Sequence, residues 1–167
     1  MPSKTSALCL AITLAVLPIG VAHAESHSHA HGHEAHQTHE MGEHTLRLNN
    51  GSQWETDAPL RKAMGILRQD IHPLMPEIHN DRLSDDGYEA LAQQVNDQVK
   101  YMIENCELEA EADAQLHLII AELMAGANAL QGEAEDQARR DGAIRVVGAL
   151  NSYAAYFNDA SFKKLGH

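Results

Sequence analysis

The sequence predicts an all-α protein: an up-down-up-down four-helix bundle preceded by a signal peptide and a disordered histidine-rich tail. Three observations lead to this prediction. The 167-residue chain opens with a short apolar run, continues with a tract dense in histidine, and then carries four long segments in which apolar residues recur every three or four positions. That spacing is typical of amphipathic helices, and no segment alternates with the period of two that a half-buried strand requires. The four segments offer about 110 residues, which is enough for one core and one domain.

The first 24 residues are organised as a secretory signal peptide. Lys4 supplies a positive charge, residues 7–21 form the apolar run, and the small-residue triplet at 22–24 precedes a cleavage site between Ala24 and Glu25. The run is too short for a membrane span, which takes about 20 apolar residues. We therefore expect export to the periplasm, cleavage, and a mature chain without a membrane-spanning segment.

Cysteine usage and charge narrow the classes of function. A lipoprotein signal would place its cysteine at the end of the apolar run, whereas Cys9 lies near the start. Cleavage would leave Cys106 as the single cysteine, so no internal disulfide is expected. The loss of Lys4 leaves 11 basic residues against 24 acidic ones, a formal net charge of −13. Such acidity concentrates cations near the surface or simply keeps the protein soluble, and it argues against nucleic acid as a partner.

Residues 25–45 form the predicted disordered, metal-binding tail. The stretch from Glu25 to His44 has seven histidines, four glutamates and one methionine, so it buries too little to offset the entropy of ordering. Neutral imidazole is a common ligand of copper and zinc, and also of nickel. A flexible chain can bring several of these side chains around one ion: His27, His29, His31, His33, His36, His39 and His44. We expect modest affinity, several ions per chain, and binding that weakens as the pH falls through about 6.5. The alternative is a histidine-rich spacer.

The predicted linker, residues 46–58, contains a turn signal and leads into helix 1 near Pro59, with Asp57 as its N-cap. Pro73 and Pro76 predict a kink or a short break near the end of this helix. The apolar stripe of helix 1 consists of Leu60, Met64, Leu67, Ile71, Leu74 and Ile78.

Three further helices complete the predicted bundle, residues 59–157, and leave residues 158–167 as a C-terminal tail. Helix 2 starts after the N-cap Ser84 and runs to about Cys106. An acidic junction at 107–113 leads to helix 3, which stops at Gly132, and helix 4 follows a polar link. The stripes of helices 2, 3 and 4 are Tyr88, Ala92, Val95, Val99, Met102 and Cys106; Ala112, Leu116, Ile119, Leu123, Gly126 and Leu130; and Ala143, Val147, Leu150, Ala154 and Phe157.

Haem and catalysis find little support in the sequence. Covalent haem is excluded, because the chain has no C-x-x-C-H motif. A non-covalent b-type haem needs two axial side chains, which Met64 and His117 could supply, although Met64 also fits the core stripe. His72 and His79 lie on one helix edge and are expected to face solvent. Catalytic motifs such as H-E-x-x-H or a nucleotide-binding glycine loop do not occur, so we do not expect an enzyme.

A local group of soft ligands flanks the junction of helices 2 and 3. Cys106 and His117 are eleven residues apart, with Met102 one turn before the cysteine and Met124 two turns after the histidine. Thiolate, thioether and imidazole together suit Cu(I). Each residue also has a structural interpretation: Cys106 continues an apolar stripe, and His117 can pair with Asp113 one turn earlier on the helix surface.

Three segments of the sequence resemble a known group of proteins: ENCELEAEADAQLH at the junction, LNNGSQWETDAPLR upstream, and the closing ALNSYAAYF. Over roughly Leu46 to Phe157 the chain looks like small exported proteobacterial proteins called DnrO-like, mostly of unassigned function. The resemblance implies an exported helical bundle and marks Asn105, Cys106, Asp113 and His117 as motif positions. It implies no reaction or ligand, and the histidine tail lies outside the matching part.

The sequence therefore predicts a periplasmic protein that handles transition-metal ions, with copper or zinc as the leading candidates. The tail would capture the ion, and the bundle would store it, pass it on or dock to a metal transporter or another periplasmic protein. The alternatives are a structural or protein-interaction bundle with incidental metal binding and a b-type electron-transfer bundle.

Overall fold

The computed structural model describes residues 45–134 and 136–166, and the predicted signal peptide and histidine-rich tail lie outside these residues. The body is all-α, with four long helices packed in a bundle-like arrangement. The helices are α1 (Ala58–Ile71), its short continuation α2 (Met75–His79), α3 (Asp85–Asn105), α4 (Ala110–Gln131) and α5 (Arg139–Tyr156). No helix in the described part of the chain is both long enough and apolar enough to cross a membrane.

The first predicted helix is broken, as its prolines indicated. α1 ends at Ile71, a 3₁₀ turn covers His72–Leu74, and α2 starts at Met75. Pro73 and Pro76 each stand in the first two positions of their segment, where the missing backbone N–H costs no hydrogen bond. The helix is therefore interrupted between α1 and α2, and neither proline removes a hydrogen bond that a mid-helix proline would remove.

The predicted helix ends are confirmed by their caps. Asp57 Oδ1 accepts a hydrogen bond from the Leu60 amide at 2.8 Å, and Ser84 Oγ accepts one from the Gly87 amide at 3.2 Å. Gly132 ends α4 in the left-handed conformation, with φ of 78°, which a residue with a side chain rarely adopts. Each cap satisfies backbone groups that the helix leaves unpaired.

The four predicted stripes form the core. Every stripe residue is buried except Leu74, Cys106 and Ala154, which are half-buried. The buried face of α5 is wider than the predicted stripe, because Val146, Ala149 and Tyr153 are also buried. Tyr153 is the largest of these, and its hydroxyl donates to Asp159 Oδ2 at 2.9 Å.

Two glycines bring α4 and α5 together. A Cβ atom on Gly142 would lie 2.7 Å from the Gly126 carbonyl oxygen, and one on Gly126 would lie 2.7 Å from Cγ2 of Val146. Atoms of these types cannot approach so closely. The α4–α5 contact is the most extensive in the body, and it depends on the absence of side chains at both positions.

The irregular segments on either side of the helices join the core. Trp54, in the predicted linker, is buried; its amide donates to the Tyr156 carbonyl at 2.8 Å, and its carbonyl accepts from the Asn158 amide at 2.7 Å. Phe162 and Leu165, in the predicted C-terminal tail, are buried as well. The packed body therefore extends beyond residues 59–157 in both directions.

Candidate metal centre at the α3–α4 junction

Cys106 stands where α3 ends. Its amide donates to the Met102 carbonyl at 2.9 Å, and its own backbone is extended, with φ of −76° and ψ of 137°. The chain thereby leaves the axis of α3 and enters α4 only four residues later, at Ala110. This short junction places the end of α3 beside the first turns of α4.

A cavity of about 240 Å³ lies between these two helix ends. Cys106 and His117, the two site residues that the sequence predicted in the body, both line it. Asp113 and Met102 line it too, and the remaining walls are the aliphatic side chains of Ile103, Leu116 and Ile120. The cavity thus places a thiol, an imidazole, a thioether and a carboxylate beside three aliphatic side chains.

The Cys106 thiol is kept in its neutral form. Burial raises its pKa to about 12, and the nearby carboxylates of Asp57 and Asp113 add to the effect. A protonated thiol is a weak nucleophile, because the thiolate is the reactive form. A metal ion that binds the sulfur would have to displace this proton.

The His117 ring is oriented from one side by Asp113. Its Nδ1 lies 2.9 Å from the Asp113 carbonyl oxygen and 3.4 Å from Asp113 Oδ2. Since a carbonyl oxygen can only accept, Nδ1 carries a hydrogen and donates it, which leaves Nε2 with the free lone pair in the neutral ring. The His117 side chain is 65% exposed, so the ring is accessible from solvent.

Asp57 links the cavity to the start of α1. While its Oδ1 caps α1, its Oδ2 accepts a hydrogen bond from the Glu107 amide at 2.7 Å, next to Cys106. The sequence identified Asp57 only as an N-cap. Its position beside the thiol depends on the packing of α1 against α3, which leaves no local sequence signal.

The remaining candidate ligands lie elsewhere. The seven tail histidines fall outside the described residues. Met124 is exposed and does not line the His117 cavity. Met64, which was considered with His117 as a pair of haem ligands, is fully buried and does not line this cavity either, so Met64 and His117 do not face a common space. His72 and His79 are exposed, as expected. Within residues 45–134 and 136–166, no group of three His, Cys, Asp or Glu side chains is arranged to hold a metal ion.

Comparison with family models, curated proteins and solved structures gives no match for the chain. The resemblance to DnrO-like proteins therefore stays a prediction. The case for function rests on the chemistry of the cavity and of the histidine-rich segment.

Proposed function

We propose that this protein is an exported transition-metal-handling protein of the periplasm. Its histidine-rich segment, residues 25–44, would capture copper or zinc, with nickel as a further possibility, and the helical body would hold the ion or pass it to a partner such as a metal transporter. The single observation that carries the proposal beyond the sequence is the shared cavity of Cys106 and His117. It gives the body a place for the ion.

The chemistry of the two regions supports two different roles, capture by the histidine-rich segment and more selective binding by the cavity. Seven histidines in twenty residues provide many alternative ligand sets, which favours several weakly held ions. The cavity instead combines different donors at positions held by helix ends, which favours one more selective ion. We propose no catalytic activity and no haem.

We also propose the finer architecture, an up-down-up-down bundle. Two α4–α5 contacts run in opposite directions along the two helices: Glu122 with Arg145 at 2.8 Å, and Gly126 with Gly142. The hydrogen bond from Glu107 to Asp57 likewise joins the end of α3 to the start of α1. Both are typical of neighbouring antiparallel helices.

Metal titration of the mature chain tests the capture role. The wild type should take up several Zn(II), Cu(II) or Ni(II) ions, and a full-length variant with the seven tail histidines replaced by asparagine should lose most of them. A control with His72→Asn and His79→Asn removes two exposed histidines of the body and should retain the wild-type number. Equal uptake by the wild type and the tail variant would rule out capture by the tail.

An interaction bundle remains the second candidate, favoured by an apolar depression between α2 and α5. Met75, Ile78 and Val147 line it, and Ile144 beside them is 47% exposed. This function predicts that bacteria expressing the tail variant grow as well as wild type under copper or zinc stress. Impaired growth would favour metal handling.

A further inference from the structure

The number of donors in the junction cavity restricts the kind of ion it can hold. Cys106 and His117 are its only thiol and imidazole, and Asp113 is its only carboxylate. Within the described ranges, no three His, Cys, Asp or Glu side chains are arranged to hold a metal ion. Structural zinc is almost always held by four ligands. Soft ions that accept few ligands, and that prefer sulfur and imidazole to carboxylate, suit this cavity better.

The third soft donor and the walls point to the same class of ion. The Met102 side chain, which is buried, lines the cavity and contributes a thioether. Thioether sulfur is a poor ligand for hard divalent ions and a good one for Cu(I). The aliphatic walls of Leu116 and Ile120 offer no oxygen ligand, which a hard ion would need.

The cavity is open enough for exchange. The His117 side chain is 65% exposed, and Ile103 at the rim is 66% exposed. An ion that reaches His117 first can therefore arrive from solvent without a rearrangement of the helices. The same opening allows it to leave.

Building on the proposed metal-handling function, we infer that the junction cavity binds one soft monovalent ion, Cu(I) or Ag(I), through Cys106 Sγ and His117 Nε2. Asp113 is a positioning residue for the imidazole. On binding, the S–H bond of Cys106 breaks, a sulfur–metal bond forms, and the proton passes to solvent; no electron is transferred.

Asp113 acts through the ring of His117. The backbone carbonyl of Asp113 accepts the Nδ1 hydrogen, which selects the tautomer with a free Nε2. The Asp113 carboxylate oxygen Oδ2 lies 3.4 Å from the same nitrogen. A carboxylate behind a metal-binding histidine raises the basicity of the ligand, and its loss typically weakens metal binding by about 10–100-fold.

The inference is tested on the full chain with the seven tail histidines replaced by asparagine. This variant competes with chromophoric chelators for Cu(I) and, separately, for Zn(II), which gives its affinity for each ion. This variant should retain one Cu(I), bound at least about a hundredfold more tightly than Zn(II). Adding Cys106→Ser or His117→Ala should weaken Cu(I) binding by at least about tenfold, whereas His72→Ala, which changes an exposed histidine outside the cavity, should leave it unchanged. Zn(II) bound as tightly as Cu(I) would overturn the assignment.

The outcomes separate this inference from the proposed function. If the wild type binds several ions but the tail variant holds no Cu(I), the cavity assignment is wrong and capture by the tail stands. If the wild type binds no metal at all, both are wrong.

The role of Asp113 has its own readout. Nitrogen-15 NMR of the metal-free chain should show His117 with Nδ1 protonated and Nε2 free; the opposite tautomer would contradict the positioning role. Asp113→Asn should weaken Cu(I) binding by about tenfold. Glu111→Gln, which removes a carboxylate from the same helix turn but not from the cavity, should have no effect, and an equal loss in both variants would indicate a general charge effect instead.

Discussion

Cys106 is compatible with two interpretations, a core position at the end of α3 and a ligand in the junction cavity. It continues the apolar stripe of α3, yet it is only half-buried and faces a cavity that also contains His117. Burial, together with Asp57 and Asp113 beside it, disfavours the thiolate, so the sulfur is protected from reagents that need that form. The same two carboxylates favour a cation near the sulfur.

Slow alkylation of Cys106 follows from its raised pKa of about 12. At pH 8, iodoacetamide should modify the folded protein at least about tenfold more slowly than the chain unfolded in urea, where the pKa returns to about 8.5. The greater intrinsic nucleophilicity of a high-pKa thiolate offsets part of the difference. Mass spectrometry of timed samples measures both rates, with free cysteine in the same urea as the control. Equal rates in the folded and unfolded chain would contradict the neutral, partly shielded thiol.

The contacts between helices depend on small residues as much as on large ones. The stripes of Leu, Ile and Val were visible in the sequence because they recur with the helical period. Gly126 also lies on a stripe, but the pattern does not indicate that its carbonyl contacts Gly142 of the next helix. Close backbone approach leaves no periodic signal, since it depends on how two helices cross.

Gly142→Ala should destabilise the protein, because the new methyl group would meet the backbone of α4 at 2.7 Å and 2.8 Å. We expect a fall in the free energy of unfolding of about 2 kcal/mol or more. Gly148→Ala is the matched control in the same helix: a Cβ there meets nothing within 4 Å, and the better helix propensity of alanine should raise stability by up to about 1 kcal/mol. Urea unfolding followed by circular dichroism measures both. A Gly142→Ala variant as stable as wild type would mean that α4 and α5 can separate at little cost.

In the described part of the chain, the segments before α1 and after α5 complete the core. Phe162 packs edge-to-face on Tyr153, with ring centroids 5.0 Å apart, and Tyr153 also stacks with Phe157. Asn151 on α5 holds the backbone of Leu165 through both its amide and its carbonyl groups. These contacts close the end of the body at which α5 finishes.

Phe162→Ala should lower the free energy of unfolding by about 3 kcal/mol, as expected for truncation of a buried aromatic side chain. Lys164→Ala, at an exposed position two residues away, should change it by less than about 0.5 kcal/mol. Chemical denaturation of the two variants beside wild type gives the comparison. If both changes are equally small, the C-terminal segment does not contribute to the stability of the body.

The fold was largely predictable from sequence, and the candidate site only in part. Caps such as Asp57, Ser84 and Gly132 and the periodic stripes define helices locally, so the helix ends at these caps could be inferred, whereas the starts of α4 and α5 have no side-chain cap hydrogen bond to mark them. Trp54 and Phe162 were missed because irregular segments carry no period that separates a buried aromatic residue from an exposed one. The pairing of Cys106 with His117 could be suspected from their spacing, but the cavity between them depends on the conformation of the junction.

The two carboxylates beside Cys106 differ in how freely they can change over evolutionary time. Asp57 joins two backbone segments, so a substitution there disturbs the start of α1 and the entry to α4 together. The Asp113 carboxylate is partly exposed, lines the cavity and lies 3.4 Å from the His117 ring, so its replacement alters the cavity directly. Mutational drift among descendants of this sequence can therefore adjust the charge of the cavity through position 113, while position 57 stays constrained by folding.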